Sequence, residues 1–247
     1  MNAHSPIGDV LDMIIVGAGI SGIGMAVHMT RDCPDKRFVM LDRRDQVGGT
    51  WDLFRYPGIR SDSDMHTLGF SFAPWKHEKS IADGPAILEY LNDITDQYGL
   101  RDKMRFGQKV ISADWDSKTA LWTVTTQAAD GSHQRLQGRF LFLGSGYYDY
   151  DDPYDAGFKG RDKFKGTIIH PQFWPKDFDY TGKNVVVIGS GATAVTIVPA
   201  MAHGGAAHVT QLQRTPTYMV SRPARDKIAN TLRKILPERL AYALTRL

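Results

Sequence analysis

Two glycine-rich loops, and the charged residue that follows each at a fixed distance, carry the chemistry legible in this sequence. Gly17-Ala18-Gly19-Ile20-Ser21-Gly22 stands between an apolar run, Met13 to Val16, and a helix-prone segment. Glycine in such a loop makes the tight turn, lets a pyrophosphate approach the backbone, and lets helix and strand pack closely. The helix N-terminus then offers N–H groups and a positive dipole end to the phosphates. The next apolar run ends in Asp42, an acid placed to accept a hydrogen bond from a ribose 2′-hydroxyl. Gly17, Gly19, Ser21, Gly22 and Asp42 are therefore the candidates for a first dinucleotide site.

Gly189-Ser190-Gly191-Ala192-Thr193-Ala194 repeats the pattern, with the permitted alanine in place of the third glycine. The strand expected after it ends in Gln211-Leu212-Gln213-Arg214-Thr215. Arg214 follows Gly189 by 25 residues, as Asp42 follows Gly17. Read as equivalent positions, these place an acid in one site and a guanidinium in the other. An acid repels a 2′-phosphate, whereas a guanidinium holds one through two parallel hydrogen bonds. The first loop suits FAD or NAD, with a free adenosine ribose. The second suits NADP, with Arg214 and Thr215 beside the six loop residues. The competing readings are a glycine-rich turn in an unrelated sheet and a solvated arginine at a strand end. Two dinucleotide sites in one chain imply hydride passing from NADPH to a flavin.

The elements that must position these loops follow from the apolar periodicity. Strands are predicted at Met13 to Val16 and Arg37 to Leu41 around a helix from about Ser21 to Met29, and again at Asn184 to Ile188 and His208 to Leu212 around Ala192 to Met201. The fold class is α/β: two Rossmann-like βαβ units with parallel sheet and a small hairpin, Val110 to Trp115 with Leu121 to Thr126. Arg139 to Leu143 is a further strand running into Gly144-Ser145-Gly146, and Gly48 to Pro74 reads as ordered loop. Asp83 begins a helix that ends at Gly99, and its stripe Ile87, Leu91, Ile94, Tyr98 reads as core packing. The second unit, with only two strands, is incomplete, because a parallel sheet needs cover on both faces.

The 247 residues allow one or two domains, and 42% apolar with 23% charged residues is ordinary for a soluble protein. A net charge of +3 without a basic run gives no reason to expect nucleic acid. The charge is uneven, since Arg222 to Leu247 is +5 and the rest −2. Cys33 is the only cysteine, so no dithiol redox pair exists within the chain; it is expected to end a helix or pack. No metal-ligand set is read. No leader or bilayer-spanning run is read, and the cytoplasm is the expected compartment.

Two longer patterns carry a family resemblance. Phe164-Lys165-Gly166-Thr167-Ile168-Ile169-His170-Pro171-Gln172-Phe173-Trp174-Pro175 fills FxGxxxHxxxW(P/D), and Gly49-Thr50-Trp51, Tyr56-Pro57-Gly58 and Asp62 fill (A/G)GxWxxxx(F/Y)P(G/M)xxxD. The chain thereby resembles the Baeyer–Villiger monooxygenases, a branch of the class B flavoprotein monooxygenases, and is most similar to their ethionamide-activating subgroup. The resemblance implies FAD and NADPH as cofactors, dioxygen as co-substrate, and a ketone or a thioether or thioamide as substrate. It implies that Gly49, Thr50, Trp51 and Val110 lie along the flavin. Asp62, the one catalytic candidate, would orient an arginine that members place over the flavin downstream of Leu247 and that has no counterpart here. Phe164, Gly166, His170 and Trp174 would be positioning and packing residues. Asp42 departs from the usual glutamate.

The implied organisation is an FAD-binding domain over 1–150, a linker with the fingerprint over 151–182, an incomplete NADP-binding unit over 183–221, and the start of a helical domain over 222–247. Ile228, Leu232, Ile235 and Leu236 form an apolar face expected to lack cover, making the basic tail a candidate for self-association or an anionic membrane surface. The alternatives are a nucleotide-binding fragment without catalysis, a non-oxygenating flavin reductase, and a heteroatom-oxidising flavin monooxygenase.

Overall fold

A computed structural model describes residues 9–215, 218–221 and 223–246; Arg222, counted in the basic tail, lies outside them. The chain divides into two compact units. One comprises the described residues up to Leu53 with Leu88–Asp149, and the other Phe54–Ile87 with the residues from Tyr150 onward.

In the first unit, β1 (Leu11–Val16), α1 (Ile20–Asp32) and β2 (Phe38–Leu41) form the expected βαβ. Cys33 is the C-cap of α1, its N–H donating to the carbonyl of Met29. Gly48 to Pro74, expected as loop, contains two one-turn helices. The first, α2 (Thr50–Leu53), belongs to this unit. The second, α3 (Met65–Leu68), belongs to the other and is capped by Asp64, which accepts from the Thr67 N–H. Helix α4 (Gly84–Gln97) follows. Ile87, Leu91 and Ile94 are buried on it, and Gly99 leaves it at a φ of 60°.

The sheet continues through β3 (Met104–Arg105), β4 (Lys109–Asp116), β5 (Leu121–Gln127) and β6 (His133–Leu143), in the order β3-β2-β1-β6-β5-β4. The hairpin is thus the edge of one six-stranded sheet. β6 pairs antiparallel with β5 and parallel with β1. It begins six residues before the predicted strand, because pairing with β5 overrides the weak strand preference of the largely polar stretch His133 to Gln137. Ile14, Val39, Leu41, Val124 and Leu136 cluster on one face, and α1 packs on β1 and β2 through buried Ile23, Ala26 and Val27. Each such buried Ile, Leu or Val side chain contributes about 1.5–3 kcal/mol. This anchors the strand ends that carry the first loop.

In the second unit, β7 (Asn184–Ile188), α5 (Ala192–His203) and β8 (His208–Leu212) form a two-stranded parallel βαβ. Ala194, Ile197 and Met201 of α5 are buried, while Val186, Ile188 and Leu212 on the strands remain more than half exposed. Helices α6 (Lys227–Ile235) and α7 (Glu238–Thr245) complete the unit.

The tail differs from the expectation that nothing in the chain engages it. Arg233 donates to the carbonyls of Trp75 (2.8 Å) and His77 (3.0 Å), Asn230 to that of Glu78, and Arg246 to that of His66. Ala229 and Ala241 are buried. Burial lowers the Arg233 guanidinium pKa, against the pull of Asp226 and Glu78. The carbonyls of an irregular segment require donors, and a sequence pattern does not show which residue supplies them. Of the apolar face expected to lack cover, Ile228 and Ile235 are exposed, whereas Leu232 and Leu236 are half-buried. Among the described residues no helix is long and apolar enough to cross a membrane.

Candidate dinucleotide sites

The first loop leaves β1 at Gly17, whose φ of 104° is open to glycine. A Cβ there would stand 2.3 Å from the carbonyl oxygen of Gly144, and one on Gly22 would stand 1.8 Å from that of Gly17. Both positions are therefore closed to a side chain. Gly144 begins the Gly144-Ser145-Gly146 run after β6, and its N–H donates to the Val16 carbonyl at 2.7 Å. Sequence reasoning assigns this run no function; glycines directly after a strand are the available signal. Gly19 is the N-cap of α1 in extended conformation, and no side chain caps the helix. By contrast, α3 and α6 are capped by Asp64 and Asp226. Uncapped first-turn N–H groups, with Ser21 exposed among them, fit an anionic ligand.

Asp42 stands just past β2 and is buried. Its Oδ2 accepts from the Ala18 N–H at 2.7 Å and its Oδ1 from the Arg44 N–H at 2.9 Å. The acid is thus aimed at the loop by backbone donors, with lone pairs left for a hydroxyl. The Gly48-Gly49 turn joins the same corner. Gly48 N–H donates to the Ala18 carbonyl, and a Cβ on Gly49 would stand 2.9 Å from the Cα of Gly19. Thr50 and Trp51 open α2 directly after it, both half-buried. Val110 packs against the apolar cluster of the sheet, beside a register shift in β4. The residues of this corner fit a dinucleotide with a free ribose.

The second loop has the same build. Gly189 takes a φ of 137°, Gly191 is the extended N-cap of α5 without a side-chain cap, and Ala194 is buried at the third position. Ser190 and Thr193 are half-buried, and Ala192 is exposed at the first turn. Gln211, which sequence reasoning does not single out, donates to the Gly189 carbonyl at 3.0 Å.

Strand register corrects one equivalence. Val16 pairs with Leu41, and Ile188 pairs with Leu212. The residue one step past Leu41 is Asp42, but one step past Leu212 is Gln213. Arg214 lies a further step on, exposed, followed by exposed Thr215. Equal chain spacing hides this because α5 and the turn after it are shorter than α1 and its turn.

The fingerprint residues have local explanations. Phe164 is exposed and lays its ring over Gly166, where a Cβ would stand 2.6 Å from the ring. His170 Nδ1 accepts from the Gln172 N–H at 3.2 Å and caps a short 3-10 turn. Trp174 meets Phe178 edge-on. Asp62 is exposed, just after Ser61, whose backbone and hydroxyl are tied to Ala82. Among the described residues no partner holds its carboxylate. Gly58, with a φ of 82°, seats the Tyr56-Pro57-Gly58 turn on α5, where a Cβ would stand 2.6 Å from the Thr196 carbonyl oxygen. No cluster of metal-ligating side chains occurs among the described residues.

A family model described as "Pyridine nucleotide-disulphide oxidoreductase" matches residues 14–243. The chain belongs to this family. Cys33 being the only cysteine, these residues hold no dithiol pair. The FAD-containing monooxygenase EthA of Mycobacterium tuberculosis is 57% identical over 96% of this chain and 48% of its own length. The probable FAD-binding monooxygenase AlmA of Acinetobacter baylyi is 51% identical over 96% of this chain and 47% of its own. A steroid monooxygenase solved with NADP superposes at a TM-score of 0.78, 32% identical, over 96% of this chain and 44% of that one. The chain spans about half the length of the curated relatives it matches. The resemblance to flavoprotein monooxygenases read from the two fingerprints stands, as does the α/β fold with its mostly parallel sheet.

Proposed function

We propose that the first loop binds FAD, that the second binds NADPH, and that together they serve a monooxygenase. That enzyme inserts one oxygen atom of dioxygen into a ketone, giving an ester or lactone, and oxidises sulfur in thioethers or thioamides. The observation that carries this reading is the pairing of two uncapped glycine-loop helices with unlike charges beyond the following strand. The carboxylate of Asp42 is turned into the first loop by Ala18 and Arg44. The guanidinium of Arg214 stands in solvent beyond the second. The monooxygenase names of the relatives support the oxygenating outcome over simple reduction.

Each residue then has a defined task. The first-turn N–H groups of α1 and α5 hold pyrophosphates, and Asp42 accepts from a ribose hydroxyl. Arg214, with Thr215 beside it, holds the 2′-phosphate that distinguishes NADPH. Bound FAD would supply the hydride and oxygen chemistry that no side chain here provides. Gly49, Thr50 and Trp51 would lie along it, and Asp62 would orient the arginine that the resemblance places downstream.

The visible spectrum of the purified chain, before and after FAD is added, tests the first site. A bound oxidised flavin that bleaches when NADPH is added under argon is expected. A chain that takes up no FAD, or a bound flavin reduced equally well by NADH, would overturn the assignment. Ester or sulfoxide formation with ketone or thioether probes tests the oxygenating part.

A further inference from the structure

The loop after β2 and the helix α2 are joined by a buried ion pair that no sequence motif marks. The Asp52 side chain is fully buried, and Arg44 is about one-fifth exposed. Arg44 Nε donates to Asp52 Oδ2 at 2.5 Å, and a second guanidinium nitrogen reaches the same oxygen. Gln46 Nε2 donates to the other carboxylate oxygen. Arg44 is also the residue whose backbone N–H holds Asp42 Oδ1. Its carbonyl accepts from the Gly107 N–H at 2.8 Å, tying the loop to the residues after β3. Asp52 belongs to α2, and its N–H donates to the Gly49 carbonyl, so its backbone is continuous with the glycine that meets Gly19.

These contacts close a ring: Ala18 to Asp42, Asp42 to Arg44, Arg44 to Asp52, and Asp52 through Gly49 back to Gly19. Both acids of the ring are buried, yet they have different surroundings. Asp42 takes two backbone N–H groups and keeps lone pairs for a ligand. Asp52 is enclosed by a guanidinium and a side-chain amide. A buried carboxylate held by an arginine fork is a rigid joint, and breaking one partner leaves the other uncompensated. The pairing also commits the Arg44 charge to Asp52 within the protein.

We infer that Asp52, acting through Arg44, is a positioning residue for the adenosine end of the first site, holding Asp42 at the register in which it accepts from the ribose. This rests on the first loop being the FAD site. The joint sets how tightly the adenosine half is held and leaves the nicotinamide site untouched. The side chains needed lie within one compact unit, Asp42, Arg44, Gln46 and Asp52 spanning eleven residues of chain.

The test uses the flavin-free chain with two probes, FAD and ADP, titrated by calorimetry or by quenching of flavin fluorescence. Asp52→Asn keeps the shape and removes the charge; Arg44→Lys keeps the charge and removes the fork. Each is expected to weaken FAD and ADP alike, by about tenfold, as the loss of a charged hydrogen bond implies. The double variant is expected to be no worse than either single one, because both remove the same joint. NADPH affinity, read alongside, is expected to stay within twofold, which separates positioning from general loosening. Circular dichroism at the titration temperature confirms that each variant is folded, and Asp52→Glu replaces Asp52→Asn should that variant not fold. FAD weakened with ADP unaffected, equal loss of NADPH, or additive effects in the double variant would each overturn the inference. A wild-type chain that binds neither FAD nor ADP would overturn the first-site reading itself, and the inference with it.

Discussion

The backbone N–H of Ala18, in the middle of the first glycine loop, donates to the carboxylate of Asp42 at 2.7 Å across 24 residues of chain. One hydrogen bond thus fixes the distance between the loop proposed to hold a pyrophosphate and the acid proposed to accept from a ribose. Replacing Asp42 by alanine removes both the ligand contact and this tie. FAD affinity is expected to fall by ~1.5–3 kcal/mol, as for other hydrogen bonds to charged groups, measured by fluorescence titration. Retention of wild-type affinity would place ribose recognition elsewhere.

Arg214 and Gln213 divide the second site's specificity into a testable choice. Strand register makes Gln213 the counterpart of Asp42 in its own unit, yet only Arg214 carries the charge a 2′-phosphate needs. Arg214→Ala is expected to remove most of the NADPH over NADH preference, a loss of ~1.5–3 kcal/mol. Gln213→Ala is expected to leave it. Titrating both variants with both nucleotides decides the matter, and the reverse result would assign the phosphate to the register position.

Gly58 offers a test of packing. Its φ of 82° and the 2.6 Å that would separate an added Cβ from the Thr196 carbonyl oxygen combine two penalties at one residue. Gly58→Ala is expected to destabilise the chain by ~1–3 kcal/mol, read as a lower denaturation midpoint. An unchanged midpoint would mean that the turn lifts off α5 without cost.

Arg233 tests whether the tail is docked. Its guanidinium donates to the carbonyls of both Trp75 and His77, so one side chain ties α6 to two points of the same segment. Arg233→Ala is expected to cost ~1–3 kcal/mol and to speed proteolytic cleavage after Arg239. Cleavage at the wild-type rate would return the tail to the status of a free surface.

The linker ahead of the fingerprint has a built-in acid dependence. The Asp155 carboxyl is held below the usual range first by the Gly157 N–H, then by the nearby Arg161 charge, with His170 a smaller contributor. A folded-state value below the unfolded one contributes stability above the unfolded pKa and loses it as pH falls through the folded value. Linker protection in hydrogen exchange is therefore expected to fall below about pH 4, and Asp155→Asn is expected to remove that pH dependence. A variant with the wild-type acid profile would assign the effect to another carboxyl.

Asp62 is the residue for which resemblance speaks and packing does not. Its carboxylate stands in solvent after the Ser61–Ala82 tie. In a monooxygenase of the relatives' full length, the matching aspartate-to-alanine change is expected to spare nucleotide binding and lower oxygenated product per NADPH consumed. Unchanged coupling would remove it from the reaction.

What the sequence by itself determined was local in the chain. The two βαβ units, their glycine loops and the acid beyond β2 were legible because strand, turn and helix signals lie within about 25 residues of one another. The Phe164 to Trp174 pattern was legible for the same reason, and Phe164 over Gly166 accounts for part of it at two residues' separation. Tertiary structure alone decided what depends on partners far away in sequence. It extended β6 by pairing with β5, moved Gln213 rather than Arg214 into the register of Asp42, and gave Gly58 its seat on α5. It also matched carbonyls of residues 75–78 with side chains from 230–233, and enclosed Asp52 with Arg44. Hydrogen-bond and packing partners are chosen by proximity in space, and residue type alone leaves many partners open.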